Sequence, residues 1–177
     1  MKRIWSPWRI DYIVGERPTD CIFCSMPDED NDPDNLIVLR GERCFVMLNR
    51  YPYTNGHLMV VPYEHVNMPT LLSPPTLLEM MGQANVCIEV LSEAMHPDGF
   101  NLGMNIGTSA GAGIKDHVHM HVVPRWNGDT NFMPVLSDTR VIVEGLERCY
   151  RELRPLFDCR CELDAQGKPV YPAPSSS

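Results

Sequence analysis

Three histidines in one short segment, His117, His119 and His121, are the residues of this chain most suited to chemistry. They alternate with the apolar residues Val118 and Met120, and side chains of an extended strand point alternately to its two faces. We therefore expect the three imidazoles on one face of a single strand. Clustered imidazoles are typical of metal ligation or of acid–base and nucleophilic chemistry near pH 7. An exposed edge strand that merely carries histidines is the alternative.

A second chemical feature lies nearer the N-terminus, where Cys21 and Cys24 form a Cys-x-x-Cys pair. Two thiolates at this spacing supply half of a tetrahedral zinc site, and a structural site needs two further Cys or His ligands. A redox pair is the weaker alternative, because the sequence shows no clear helix beginning at Cys21 that would lower a thiol pKa. Among the other cysteines we expect buried side chains at three positions and ordinary thiols at two: Cys44, Cys87 and Cys149, and Cys159 and Cys161.

The rest of the pattern predicts an α+β domain that positions these groups. Short β-prone runs are predicted at residues 36–39, 44–48, 57–61, 100–106 and 117–123. An amphipathic helix of about 22 residues is expected to follow the N-cap Ser73 and to end at His96. Its predicted buried stripe is Leu77, Met81, Ala84, Ile88, Leu91 and Met95. With a second helix at about residues 139–156, these elements predict an antiparallel five-stranded sheet whose one face is covered and whose other face carries the histidines.

Length and composition limit the possible classes of protein. The 177 residues predict one domain over residues 1–165, with its motifs at about 20–125, and a disordered tail at 166–177. A formal net charge of −8 argues against nonspecific nucleic-acid binding. No apolar run is long enough for a membrane span, and the first residues lack a secretory pattern. Seven cysteines without an export signal indicate a reducing, cytoplasmic location.

The segment His117–Val123 resembles the signature of the histidine triad (HIT) nucleotide-binding family, in which histidines alternate with apolar residues. Further matches are the Cys-x-x-Cys pair, Asn49 eight residues before His57, the Val61-Pro62 step leading to His65, and a glycine-rich loop before the triad. The residues that follow the triad, to Phe132, are similar to a bacterial branch of diadenosine-tetraphosphate phosphorylases and related hydrolases. The resemblance covers roughly residues 20–125.

The resemblance implies roles for individual histidines. His119 would be the nucleophile that forms a nucleotidyl-histidine intermediate, and His121 and His57 would lie beside the α-phosphate. Such an imidazole needs its other ring nitrogen hydrogen-bonded to a fixed group, most simply a backbone carbonyl, to set the tautomer. In zinc-bearing relatives the two remaining metal ligands correspond to His65 and His117. The resemblance also implies a homodimer, with the two sheets joined into ten strands.

Nucleotide contacts are expected from several other residues. The family's ribose-binding position corresponds to Asn49, whose alternative role is that of a turn residue. The glycine-rich loop offers backbone N–H groups and hydroxyls to phosphates. Trp126 is either a lid over the leaving nucleoside, which we favour, or an anchor for the C-terminal segment. The expected nucleotide-binding set is Asn49, Asn105, Gly107, Thr108, Ser109, Gly113 and Trp126, with Mg²⁺ as an optional partner of the substrate phosphates.

One departure from the family pattern affects the expected reaction. Related hydrolases have a glutamine four residues before the first triad histidine, where this chain has Gly113. The missing amide would leave space in which inorganic phosphate could attack, so phosphorolysis is slightly preferred over hydrolysis. The expected substrate is a dinucleoside polyphosphate or a similar adenine nucleotide conjugate.

Two other classes of protein remain open at this point. In a metal-dependent hydrolase, His117, His119 and His121 would bind one metal together with an open coordination position, although three ligands in a row on one strand fit poorly. In a nucleotide-sensing module, the same residues would bind a nucleotide without turning it over.

Overall fold

The computed structural model describes residues 21–129 and 145–160, together with the backbone at 162–163 and 169–170. The expected domain limits at residues 1 and 165, and most of the expected tail, lie outside these ranges. Among the described residues, no helix combines the length and apolar character needed to cross a membrane.

Five strands form one antiparallel sheet, as the sequence predicts. Their order across the sheet is β1-β2-β3-β5-β4, so β1 and β4 lie at the edges. The turn at Gly41 joins β1 to β2 as a hairpin, in which the Gly41 N–H donates to the Cys44 carbonyl. The strands are β1 Ile37–Arg40, β2 Cys44–Leu48, β3 Leu58–Pro62, β4 Gly99–Gly103 and β5 Met120–Arg125.

Within residues 21–129 and 145–160, four α-helices accompany the sheet. They are α1 Ile22–Ser25, α2 Asp32–Asn35, α3 Pro74–Met95 and α4 Leu146–Arg160, and 3-10 turns lie at Met26–Glu29, Pro69–Leu71 and Thr108–Ala110. Helix α3 has the predicted 22 residues. Ser73 caps it by accepting a hydrogen bond from the Thr76 N–H, and His96 ends it in the left-handed conformation. Both helix-terminal signals in the sequence are therefore confirmed.

The predicted stripe of α3 is correct only in part. Ala84 and Leu91 are buried, but Met81 is 46% exposed and the neighbouring Met80 is fully buried. The buried side of the helix also contains Thr76 and the polar Gln83. Because these polar side chains face inward, a stripe chosen by apolar character alone is rotated away from the true one.

The two faces of the sheet have separate cores. Val46, Val60, Met120 and Val122 belong to the larger cluster, which α3 and α4 cover. The opposite face packs a smaller cluster of Phe23, Ile37, Phe45, Met47, Met59 and Val61. Side-chain alternation along the strands accounts for this division. The smaller cluster lies on the same face as the triad histidines.

Three strands are shorter than predicted at the ends near the triad. Strand β5 begins at Met120 rather than at His117, because the Val118 N–H donates to the Val66 carbonyl in a loop instead of to a neighbouring strand. Strand β4 ends at Gly103, which pairs with His121, rather than at Ile106. β5 itself begins at Met120, only one residue before His121, so it has almost no further residue with which β4 could pair. Strand β3 likewise begins at Leu58 rather than at His57.

The C-terminal helix also differs from its predicted limits. Residues 139–144 lie outside the described part of the chain, and α4 continues to Arg160 rather than ending at Leu156. Arg160 forms ion pairs with Glu89 and Glu93 of α3, which hold the last turn. Beyond the helix, Pro169–Val170 forms a short strand paired with Glu162–Leu163, within a region where the sequence predicts a tail.

Candidate active site and metal cluster

Four potential metal ligands converge at one end of the histidine face. Cys21 and Cys24 come from the turn around α1, His65 from the loop after β3, and His117 from the segment before β5. Their ligand atoms all lie within 4.8 Å of one another. These four residues, hereafter the metal cluster, are the set that the sequence predicts.

The spacing of the metal cluster fits a tetrahedral ion. The Nδ1 atom of His117 lies 3.3 Å from the Cys21 Sγ and 3.6 Å from the Cys24 Sγ. His65 Nδ1 lies 3.3 Å from the Cys24 Sγ. Zinc bound at ordinary Zn–S and Zn–N lengths separates neighbouring ligand atoms by roughly 3.3–3.8 Å. The donor set of two thiols and two imidazoles is therefore already arranged as zinc requires.

The orientation of His117 is fixed from behind. Its Nε2 donates to the Pro62 carbonyl at 2.8 Å, so its Nδ1 is the atom left to face the thiols. A metal-binding imidazole usually has such a second partner, which sets its tautomer and the plane of its ring. Burial lowers the pKa of His117 below its ordinary value, and this favours the neutral form that a metal requires.

A short helix begins next to Cys21, contrary to the expectation from the sequence. Cys21 is the N-cap of the helix α1, whereas the sequence shows no clear helix there. The helix has only four residues, and its end is reached at Ser25. The pKa of Cys24 is nevertheless raised, mainly by burial and then by Cys21, which is opposite to what an activated thiol needs. The structure therefore favours metal ligation over a redox role because the thiol pKa is raised, and not because a helix is absent.

His119 has the arrangement expected of a nucleophile. Its Nδ1 donates to the backbone carbonyl of His117 at 2.9 Å, as the sequence analysis expects. This bond places the proton on Nδ1 and leaves a lone pair on Nε2. Burial lowers the pKa of His119, although the bond to the His117 carbonyl acts in the opposite direction. A neutral imidazole with a free Nε2 is the nucleophilic form.

His57 and His121, hereafter the histidine pair, are joined directly. The His57 Nε2 lies 3.0 Å from the His121 Nδ1, and both residues are buried. Burial and the neighbouring histidines lower the pKa of His57 to about 3 and that of His121 to about 4. The ring of His121 in turn packs edge-on against His119, with centroids 4.9 Å apart. The lowered pKa values favour the neutral form of both rings at pH 7, and the pair adjoins His119.

The glycine-rich loop lies between β4 and the triad. Gly107 and Gly111 have positive φ angles of 79° and 84°, which glycine adopts without strain. Thr108 and Ser109 form an exposed 3-10 turn between them. Gly113 is exposed, and a Cβ added there would meet no atom within 4 Å. The loop is thus open to solvent beside the triad.

Asn105, at the start of this loop, reaches the histidine pair. Its amide nitrogen lies 3.4 Å from the His121 Nε2. If His121 Nε2 carries a proton, the amide oxygen is the group that can accept it, which corresponds to a half-turn of the amide group. Asn105 is therefore within reach of the expected phosphate position.

Asn49 has partners within the protein. Its Oδ1 accepts a hydrogen bond from the Tyr51 N–H at 2.9 Å, and its Nδ2 lies 3.4 Å from the His57 Nδ1. The first bond is that of the turn residue considered as the alternative. One lone pair and one N–H of the amide remain for a ligand, so ribose contact stays a prediction.

Trp126 lies at the far end of β5 from the triad. Its indole N–H donates to the Met95 carbonyl at the end of α3. This bond supports the anchoring role, whereas we expected a lid over the nucleoside.

Tyr53 adjoins the site, although no sequence pattern indicates it. Its ring packs on His57 and His121, with centroids 4.6 and 5.7 Å away, and it is 41% exposed. The Tyr53 backbone N–H also donates to the His57 Nδ1 at 3.0 Å. Tyr53 lies only four residues before His57, and this closeness is the one hint that the sequence gives. The segment between them is an irregular loop, so no periodic pattern predicts that the two rings meet.

The geometry argues against a metal bound by the whole triad. Of the three triad histidines, only His117 belongs to a metal cluster within the described ranges. His119 directs its Nδ1 to a backbone carbonyl, and His121 directs its Nδ1 to His57. The three rings share a face but have different partners.

Comparison with known proteins defines the class. The HIT domain family model matches residues 31–128, and the chain belongs to the histidine triad (HIT) family. It is similar to the AP-4-A phosphorylase of Mycobacterium tuberculosis (strain ATCC 25618 / H37Rv). The two are 37% identical over 161 residues, which span 86% of this chain and 83% of that protein.

Solved structures agree with this assignment. A Zn-bound histidine triad family protein from Mycobacterium smegmatis superposes with a TM-score of 0.65 at 30% identity, covering 79% of this chain and 94% of that one. A hypothetical histidine triad nucleotide-binding protein from Sulfolobus tokodaii strain 7 gives a TM-score of 0.64 at 26% identity, covering 78% and 93%. The predicted family and α+β fold are thereby confirmed.

Proposed function

We propose that this protein cleaves dinucleoside polyphosphates such as diadenosine tetraphosphate, or related adenine nucleotide conjugates, through a nucleotidyl intermediate on His119. The observation that carries the proposal is the fixed tautomer of His119. Its Nδ1 is committed to the His117 carbonyl at 2.9 Å, so its Nε2 keeps a lone pair for attack on phosphorus. The similarity to a mycobacterial AP-4-A phosphorylase supports the choice of substrate.

The proposed reaction has two displacements. In the first, the His119 Nε2 forms a bond to the α-phosphorus and the anhydride P–O bond breaks, with its electron pair leaving on the nucleoside polyphosphate. In the second, an oxygen of inorganic phosphate or water attacks the same phosphorus and the P–N bond breaks, which restores neutral His119. From diadenosine tetraphosphate the first step releases ATP. The second releases ADP with phosphate or AMP with water.

The histidine pair supplies hydrogen-bond donation where negative charge develops. His121 lies next to His119 and Asn105 and would donate from its Nε2 to a non-bridging oxygen. His57 holds His121 from behind through the 3.0 Å contact. The loop residues Gly107, Thr108 and Ser109 would bind the remaining phosphates with backbone N–H groups and hydroxyls.

Phosphorolysis is our preferred reaction over hydrolysis. Gly113 has no side chain, at the sequence position where related hydrolases have glutamine, and a Cβ added there would meet no atom within 4 Å. A phosphate ion needs that space more than water does. Mg²⁺ bound to the substrate phosphates and a cytoplasmic location remain predictions.

The metal cluster would hold a structural zinc ion through Cys21, Cys24, His65 and His117. A bound zinc ion would supply cross-linking of distant segments rather than substrate activation, because a four-ligand site leaves no open position. The Zn-bound state of the similar Mycobacterium smegmatis protein supports this identity. The same His117 that faces the thiols offers its carbonyl to His119, so metal binding also supports the nucleophile.

We further propose that the protein forms the homodimer that the family resemblance implies. Strand β4 is an edge of the sheet, and Leu102 on it is 40% exposed. The outer side of α3 exposes Leu78 and Met81, at 76% and 46%. Pairing of two β4 strands would give the expected ten-stranded sheet. Light scattering after size-exclusion chromatography tests this, and Leu102→Lys should yield monomers if β4 is the contact.

The deciding experiment for the activity is incubation with isotope-labelled diadenosine tetraphosphate, with and without inorganic phosphate, followed by mass analysis of the products. We expect ADP and ATP when phosphate is present. AMP and ATP at all phosphate concentrations would indicate hydrolysis. Tight binding with no products would instead identify a nucleotide-sensing module and contradict the proposed chemistry.

A further inference from the structure

A chain of hydrogen bonds leads from the loop before β3 to the histidine pair. The Tyr53 backbone N–H donates to the His57 Nδ1 at 3.0 Å. A backbone amide can only donate, so the His57 Nδ1 must carry a lone pair. The proton of the neutral His57 ring is therefore on Nε2.

This assignment determines the state of His121 as well. The His57 Nε2–H donates to the His121 Nδ1 at 3.0 Å, so that atom must also carry a lone pair. The proton of neutral His121 is then on Nε2, the atom that faces Asn105. The loop thus dictates, through two rings, that a hydrogen-bond donor faces the expected phosphate.

Asn49 is the second group directed at His57. Its Oδ1 accepts from the Tyr51 N–H at 2.9 Å, which assigns Oδ1 and Nδ2 and turns the amide nitrogen toward the His57 Nδ1 at 3.4 Å. A second bond fixes this orientation of the loop, since the Asn49 N–H donates to the His57 carbonyl at 2.8 Å. Asn49 therefore faces the lone pair of His57 with a donor.

We propose that Asn49 is a positioning residue that holds the histidine pair in the tautomer from which His121 donates to the substrate. This role rests on the proposed function and deepens it, because it concerns the same site. It is separate from the ribose binding that the family resemblance implies for this position. Ribose hydroxyls can donate to either Asn or Asp, but only the Asn amide can join the Tyr53 N–H in donating toward the His57 lone pair.

The substitution Asn49→Asp separates the two roles. A carboxylate keeps the size of the side chain and its bond from the Tyr51 N–H, but it places an acceptor against the His57 lone pair. That repulsion opposes the lone pair on the His57 Nδ1, which the Tyr53 N–H alone would then favour, and so weakens the preference for Nε2–H in both rings. Asn49→Ala, which removes both partners, is the matched control.

The experiment records the ring-nitrogen NMR signals of ¹⁵N-histidine-labelled wild type and both variants, together with kcat and KM for diadenosine tetraphosphate. We expect Nε2–H signals from His57 and His121 in the wild type. In Asn49→Asp we expect these signals to shift away from that state and kcat to fall at least about tenfold below that of Asn49→Ala. Thermal unfolding checks that each variant is folded.

Two outcomes would overturn the positioning role. One is an Nδ1–H signal from His57 in the wild type. The other is an Asn49→Asp variant with wild-type kcat and unchanged histidine signals, which ribose binding alone predicts. If the wild type turns over no nucleotide, the proposed function fails, whereas the NMR comparison of wild type and Asn49→Asp still decides the positioning role.

Discussion

The metal cluster and the histidine pair lie on either side of His119. Each contains a triad histidine, but the two ring nitrogens of that histidine have different partners in the two regions. At the metal cluster, the His117 Nδ1 faces two thiols while its Nε2 donates to a backbone carbonyl. At the histidine pair, the His121 Nδ1 faces His57 and its Nε2 faces the open loop. His117 and His121, four positions apart on one face, therefore have different expected roles because different atoms meet each Nδ1.

The two regions also differ in how far apart in the sequence their residues lie and in what links them. The thiols and His65 come from segments remote in sequence, and an ion would join them. The partners of His57 come from the short loop that begins at Asn49, and hydrogen bonds alone hold them. We therefore expect the metal cluster to act on the stability of the fold, and the loop before β3 to act on the protonation pattern of the site.

Replacing His119, which lies between the two regions, should have the largest effect on activity. We expect His119→Ala to lower kcat by at least about 10⁴-fold, because no other group supplies the attacking nitrogen. Thermal unfolding checks that the variant is folded. His96→Ala, which removes an exposed histidine outside both regions, is the matched control and should keep full activity. Substantial turnover by His119→Ala would place the nucleophile elsewhere.

Breaking the metal cluster should chiefly affect stability. We expect Cys24→Ser to lower the free energy of unfolding by about 3 kcal/mol or more, since one lost ligand releases the ion that joins three segments. Denaturant unfolding with and without a zinc chelator measures this. The exposed Cys159→Ser is the control and should behave as wild type. A wild type whose stability does not respond to chelation would contradict a structural metal.

Filling the open space beside the triad should change the second step of the reaction. We expect Gly113→Gln to lower the ratio of ADP to AMP formed from diadenosine tetraphosphate by about tenfold, a difference of 1.4 kcal/mol between competing nucleophiles. The backbone at Gly113 has no positive φ and a side chain there meets open space, so the variant should fold. Gly113→Ala is the smaller control. An unchanged phosphate dependence in the Gln variant would remove the basis for preferring phosphorolysis.

The histidine pair should make stability depend on pH. The folded pKa of His57 is lowered to about 3, and the unfolded value is near 6.5. As pH falls below 6.5, His57 therefore binds a proton in the unfolded chain but not in the folded protein. This part of the stability is fully present above pH 6.5 and is lost toward pH 3, by at most about 1.4 kcal/mol per pH unit for each histidine.

Urea unfolding of the wild type and of His57→Gln between pH 7 and pH 4 measures this effect. The glutamine variant should lose less stability on acidification than the wild type does, because it has one fewer group to titrate. Equal pH slopes would show that His57 is not held neutral.

The sequence predicts the parts of the site that local rules control. Alternation places His117, His119 and His121 on one face even though the regular strand begins only at Met120. The Ser73 cap and the following prolines give the limits of α3. The ligand set of the metal cluster follows from the family motif, and the distances agree with it.

Other parts depend on contacts that no local pattern encodes. The contact between His57 and His121 joins residues 64 positions apart. The ring of Tyr53 and the amide of Asn49 meet His57 through an irregular loop whose path is not periodic. The Trp126 indole donates to the Met95 carbonyl, which lies at the end of α3 and 31 positions earlier in the chain. These contacts require the folded arrangement of strands, which residue types and spacing do not supply.

The most direct test is to identify the residue that carries the nucleotide during turnover. Enzyme mixed with labelled diadenosine tetraphosphate in the absence of phosphate would be quenched in alkali, which preserves a phosphorus–nitrogen bond, and digested for peptide mass analysis. Our account requires an adenylyl group on His119 that disappears when phosphate is added, with ADP as the product. A label on another residue of the site would contradict it.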